Sequence, residues 1–211
     1  MKRLASVIIS FALLALASAV FAADKAPAKA AAKVAAAPID SLALLEKAVA
    51  KDSTKFDNLY KLGVMYLERE KMPEAAKVFA KANSVKPKQV KVLVNLGVSL
   101  DAVGKADEAQ SFYKDALVVT PDDSVAMCRL ASSLYAQGKY DEAMGNLRTL
   151  IQKKPRSHCA YFTMGVAFAD AGIYRDAIRM WRKVVELAPD SPEALSAKES
   201  IEVLERFLAG K

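Results

Sequence analysis

Residues 56–89 read FDNLYKLGVMYLEREKMPEAAKVFAKANSVKPKQ, and residues 90–123 read VKVLVNLGVSLDAVGKADEAQSFYKDALVVTPDD. Laid over each other, these stretches of 34 residues place Gly63 on Gly97, Ala75 on Ala109, Phe79 on Tyr113 and Pro87 on Pro121. The spacing continues without insertion through 124–157 and 158–191. Ala131 and Gly165, Ala143 and Ala177, Leu147 and Trp181, and Pro155 and Pro189 fall at the corresponding places. Several positions recurring together at one fixed period indicate a repeat architecture. Each unit of such a protein buries its apolar face only by stacking on its neighbours.

The chemistry of the recurring positions describes each unit as two antiparallel helices, A then B. Gly63 and Ala75, with their counterparts, are small where the two helices cross, so the backbones approach closely. The large residue at Phe79 or Trp181 fills space toward the next unit. Gly104, Gly138 and Gly172 follow the A helices, where a left-handed C-terminal residue is favoured; the first unit has Glu70 there instead. Asp107-Glu108 and Asp141-Glu142 open B helices, where acids cap and complement the helix dipole. The proline ends helix B and forces the turn.

Leu62-Gly63 with Tyr66, followed by Ala75, Phe79, Ala82 and Pro87, resembles the tetratricopeptide-repeat (TPR) family nearly position by position, and the resemblance covers 56–191. It implies an all-α fold: a right-handed superhelix, or α-solenoid, of antiparallel helix pairs. The ends of such a solenoid need covers. Residues 192–211 supply a C-terminal capping helix: Pro192 suits a first helical position, and Ala197, Ile201, Leu204 and Leu208 recur on one face. Residues 39–55 read as a degenerate half-repeat, with Ser41, Leu45 and Ala48 aligned on Ala75, Phe79 and Ala82. Ten helices are expected from Ile39 onward.

Upstream, Lys2 and Arg3 precede an apolar run from Leu4 to Ala22 that ends in small residues. That is the form of an export signal, with cleavage after Ala22. The alternative is an uncleaved anchor in the inner membrane, since the run is near the minimum length for a span. Either way the repeats are expected outside the cytoplasm, in the periplasm or secreted. Residues 23–38, ADKAPAKAAAKVAAAP, cannot build a core and read as a flexible spacer. Leader and spacer together carry four of the seven net positive charges. The repeats are therefore nearly balanced and lack the clustered basic face that a phosphate backbone requires. No nucleic-acid partner is expected, and a membrane only through the N-terminal segment.

In the TPR family the A helices line a concave groove that holds peptides or helices. The resemblance places Tyr60, Val64 and Leu67 of the first unit there, with Lys91, Val94, Asn95, Val98 and Asp101 of the second. Arg129, Ser132 and Tyr135 follow from the third, and Phe162, Val166 and Asp170 from the fourth. So apolar a strip on a soluble surface marks a binding site and suits an amphipathic segment of another protein. The alternative is a homo-oligomer whose groove is filled by its own chain or a second copy. The family's clamp for a terminal carboxylate is not carried over, because Tyr60, Val64 and Val125 occupy three of its places. Asn95 and Arg129 make a polar contact at the groove edge or are simply solvated.

No catalytic constellation is legible. His158 is the single histidine; it falls in the turn after Pro155 and reads as an exposed turn residue. Cys128, His158 and Cys159 are one ligand short of a closed metal site. The expectation is a protein without enzymatic activity, cofactor or metal. Both cysteines project from neighbouring A helices. They form either a disulfide, as an oxidising compartment allows, or two thiols packed as small apolar groups.

Overall fold

The computed structural model describes residues 41–210. The leader 1–22, the spacer 23–38 and the first two positions of the half-repeat lie outside the described residues. Among the described residues there are ten helices and no strand. They fall into two compact units, one ending at Val119 and one starting at Thr120.

The first unit holds α1 (Ser41–Lys51), α2 (Phe56–Glu68), α3 (Met72–Val85), α4 (Val90–Ala102) and α5 (Ala106–Val119). The second holds α6 (Ser124–Ala136), α7 (Tyr140–Lys153), α8 (His158–Asp170), α9 (Tyr174–Leu187) and α10 (Pro192–Leu208). The A helices start at Phe56, Val90, Ser124, His158 and Pro192, keeping the period of the sequence. Every turn from A to B closes with one backbone bond, from Lys71 N to Tyr66 O, Lys105 N to Leu100 O, Lys139 N to Leu134 O and Ile173 N to Phe168 O, at 2.8–3.0 Å. Gly104, Gly138 and Gly172 sit at φ 81°, 77° and 75° in those turns, and Glu70 takes the same left-handed place at φ 57°. A side chain there costs about 1 kcal/mol, which the first unit tolerates.

Within the first unit α2 packs on α3, α3 on α4 and α4 on α5. The crossing is tighter than spacing alone conveys. Phe79 does not only reach toward the next unit: its ring lies over Gly63 of its own, so that a methyl group at 63 would sit 2.6 Å from Phe79 Cε1. Tyr113 lies over Gly97 in the same way, at 2.4 Å. Its hydroxyl donates to Asp101 Oδ2 at 2.9 Å. In the third repeat, Ala131 stands where the others have glycine, and Leu147 stands at the position of the aromatic ring; both are buried. The extra methyl on one helix goes with the missing ring on the other. Helix α1 is fixed to α2 by the Tyr66 hydroxyl, which donates to Glu46 Oε1 at 2.8 Å. Burial, and then the Glu46 carboxylate, push the Tyr66 pKa up to about 12. Leu42, rather than the expected Leu45, is the buried anchor of α1.

In the second unit α6 packs on α7, α8 on α9 and α9 on α10, while α6 and α8 also touch directly. Trp181 lies over Gly165 and donates its indole N–H to Phe162 O at 3.3 Å. Ala194, Ala197 and Leu204 of α10 join this core and Ile201 packs against it. Leu208, expected on the buried face, is exposed. The last turn rests instead on Phe207, edge-on to Tyr174 at 5.3 Å. Asp123 caps α6 by accepting from Ala126 N at 2.7 Å, and Ser191 caps α10 by accepting from Ala194 N at 3.1 Å. Helices α3, α7 and α9 instead follow Lys71, Lys139 and Ile173 with no side-chain cap. The acids of their first turns therefore complement the dipole from inside the helix rather than capping it.

Candidate functional site

The A-helix face differs from an open apolar strip. In the first unit Leu67, Val94 and Val98 are buried, 2%, 6% and 7% exposed. Tyr60 is half-buried, stacked on Phe56 at 6.3 Å and edge-on to Phe79 at 6.1 Å. Asp101 is bound to Tyr113. Val64 and Asn95 are half-buried, and Lys91 is exposed. The inward positions of a 34-residue unit thus serve the packing of their own helices as much as any ligand. Of the groove residues expected here, Leu67, Val94 and Val98 are thus buried, and Asp101 is held by Tyr113.

In the second unit Phe162 and Val166 are likewise buried. The half-buried Tyr135 donates its hydroxyl to Asp170 Oδ2 at 3.2 Å, and its ring tilts against Tyr140 at 4.9 Å. Desolvation chiefly, then the Asp170 charge, raise the Tyr135 pKa. Desolvation also raises that of Asp170, and the tyrosine bond only partly opposes it.

Between α6, α8 and the start of α10 the face opens into a pocket of about 730 Å³. Val125, Cys128, Arg129 and Ser132 line it from α6, and Cys159, Phe162 and Thr163 from α8. Of the groove residues expected from sequence, it brings together Arg129, Ser132 and Phe162, with both cysteines beside them. Its walls are mainly apolar and Val125 is 52% exposed there. Lys154 and Arg156 enter from the α7–α8 turn, which is pinned down by Lys153 Nζ to Asp122 Oδ1 at 2.8 Å and by Lys154 Nζ to Asp122 O. His158 is the first residue of α8 and a half-buried pocket wall, not an exposed turn residue.

Cys128 and Cys159 form a disulfide, with their Cα atoms 6.2 Å apart. Of the two arrangements open from the sequence, the chain adopts the crosslink, which takes both sulfurs out of any Cys–His–Cys ligand set. The Ser157 hydroxyl lies 3.3 Å from Cys159 Sγ. The last wall is Glu193, in the first turn of α10. It is 7% exposed, and its Oε2 is buried without a hydrogen-bond partner.

Counting A-helix positions missed Lys154, Arg156 and Glu193. The signal for the first two was the basic run Lys153-Lys154-Pro155-Arg156 ahead of the cysteine helix. Glu193 gives no sequence signal apart from an ordinary helix start.

A tetratricopeptide-repeat family profile matches residues 94–158, and a second matches 134–201. No curated protein matches the chain. Among solved structures, the tetratricopeptide-repeat protein TTC0263 of Thermus thermophilus superposes with a TM-score of 0.66 at 18% identity, over 78% of this chain and 88% of its own. MamA does so at 0.60 and 20%, over 70% and 86%. YrrB, described as a TPR protein with an unusual peptide-binding site, does so at 0.55 and 26%, over 75% and 82%.

Proposed function

Starting from a chain that belongs to the tetratricopeptide-repeat family, we propose that it is an assembly scaffold that holds a segment of another protein in the pocket between α6, α8 and α10. The family is one of protein-interaction scaffolds. The observation that carries the finer reading is the pocket itself: apolar walls at Val125 and Phe162, a basic edge at Lys154 and Arg156, and a volume of about 730 Å³. Such a site takes a few side chains of a helix or peptide whose apolar anchor is flanked by acids. Export to the periplasm, by the leader at 1–22, belongs to the same proposal. The Cys128–Cys159 bridge supports it, because disulfides persist in oxidising compartments.

Val125→Arg tests the reading, since it fills the pocket mouth from an exposed position. Capture of a partner from the envelope fraction is expected to fall tenfold or more, the size of losing one anchor at an interface. Unchanged capture would refute the pocket as the binding face. Capture of this chain alone would favour a homo-oligomer.

A further inference from the structure

We propose that this pocket is also a thiol–disulfide exchange site for a small zwitterionic thiol, an amino-acid or short-peptide thiol carrying a free ammonium and a carboxylate. Three independent features meet in one cavity. The first is the disulfide, which lines it through both cysteines. Cys128 is buried at 6% exposure while Cys159 is half-buried, so attack is assigned to the Cys159 side of the bridge. Cys159 is also the second residue of α8, with the Ser157 hydroxyl 3.3 Å from its sulfur. Helix N-termini, hydroxyl donors and nearby cations all stabilise a thiolate there, which favours Cys159 as the thiolate released when a second ligand thiol resolves the mixed disulfide.

The second feature is Glu193. A buried carboxylate oxygen without a partner is costly, and this one belongs to a residue in the pocket wall. An ammonium placed in the cavity compensates that charge. The third is the basic edge of Lys154 and Arg156, which suits a carboxylate on the same ligand. A ligand with one charge alone leaves either Glu193 or the basic edge uncompensated, whereas a zwitterion satisfies both.

The chemistry balances with two equivalents of the thiol. A ligand thiolate attacks Cys159 Sγ and forms the mixed disulfide. The Cys128–Cys159 bond breaks, its electron pair leaving on Cys128 Sγ, which takes a proton from water. A second thiolate attacks the ligand sulfur, forms the ligand disulfide and releases Cys159 as thiolate. The protein disulfide is reduced by two electrons and two ligand thiols are oxidised; the reverse sequence restores the crosslink.

The exchange does not depend on a protein partner, so its failure leaves the Val125→Arg test untouched. The experiment treats the purified, oxidised full chain with glutathione and, separately, with N-acetylglutathione, which keeps the thiol and carboxylates but lacks the ammonium. Mixed disulfide is followed by intact mass and peptide mapping, each rate being normalised to that thiol's rate with a small model disulfide. Glutathione is expected to modify Cys159 about tenfold faster than its acetylated form, the scale of one charge-assisted contact. Glu193→Gln is expected to erase that ratio by slowing glutathione and, with the carboxylate charge gone, by speeding N-acetylglutathione. No adduct, an adduct on Cys128, or a wild-type ratio near one would overturn the assignment. So would a Glu193→Gln variant that slows both thiols equally, which is the mark of a purely structural residue. If Glu193→Gln does not fold, the wild-type ratio decides alone.

Discussion

Adding one methyl group at Gly97 tests the packing rule on which the repeats are built. The new Cβ would lie 2.4 Å from Tyr113 Cε1 and 2.9 Å from Cδ1 and Cζ. Carbon atoms in contact prefer about 3.5–4.0 Å, so something must shift by an ångström. Tyr113 is fully buried and its hydroxyl is held by Asp101 at 2.9 Å, which leaves the ring little room to swing. Overpacking of this kind costs about 1–3 kcal/mol. Helix propensity works the other way, since alanine is better than glycine inside a helix by about 1 kcal/mol. With the ring held in place the clash outweighs it, and Gly97→Ala is expected to lose up to about 2 kcal/mol in urea denaturation. The third repeat supplies the rescue: it carries Ala131 and Leu147 at these two positions. Tyr113→Leu alone opens a cavity and strands the Asp101 acceptor, a loss of about 2–4 kcal/mol. Combined with Gly97→Ala, it should be less harmful than the sum of the two by about 1 kcal/mol or more. Additivity within about 0.5 kcal/mol, or a Gly97→Ala variant as stable as the parent, would refute the reasoning.

Three further outcomes are expected. Replacing Cys128 and Cys159 together by serine removes a crosslink between residues 31 apart and should lower stability by about 3–4 kcal/mol in the chain-entropy model, read from the urea midpoint. Glu70→Gly should raise stability by up to about 1 kcal/mol, because it relieves a side chain held at φ 57°. For Asp170, burial lifts the folded-state pKa above the unfolded 3.8, so the folded state binds the extra proton. Its ionised form therefore costs stability at neutral pH, a cost relieved as pH falls through the raised value toward 3.8. Asp170→Asn should raise the melting temperature at pH 7 and flatten the acid side of the stability profile; an unchanged profile would contradict that.

The fold was legible because the repeat is over-determined. Small residues, a large residue and a proline recur together, and each has one steric role, so register follows from counting. The pairing of Ala131 with Leu147 was equally visible in the sequence and is explained only by the ring-over-glycine contact. The groove was less legible. Counting assigns a direction to each side chain but not its depth, and Leu67, Val94 and Val98, counted as inward-facing, are buried. Residues that reach the pocket from outside the A helices, such as Arg156, follow no period. Glu193 is visible only once the start of α10 is seen to form a wall of the α6–α8 cavity. The disulfide lay between these cases: spacing made it feasible, and the 6.2 Å separation of the two Cα atoms realises it.

Position-specific photocrosslinking in the envelope of living cells decides whether the pocket between α6, α8 and α10 is where another protein is held. A photoreactive residue placed at Val125, 52% exposed at the pocket mouth, is compared with one at Arg179, exposed on α9 and paired with Asp176 at 2.6 Å. One discrete heterologous adduct is expected from position 125 and none from 179. An adduct of that partner from 179 alone would contradict it and move the binding face to the B helices.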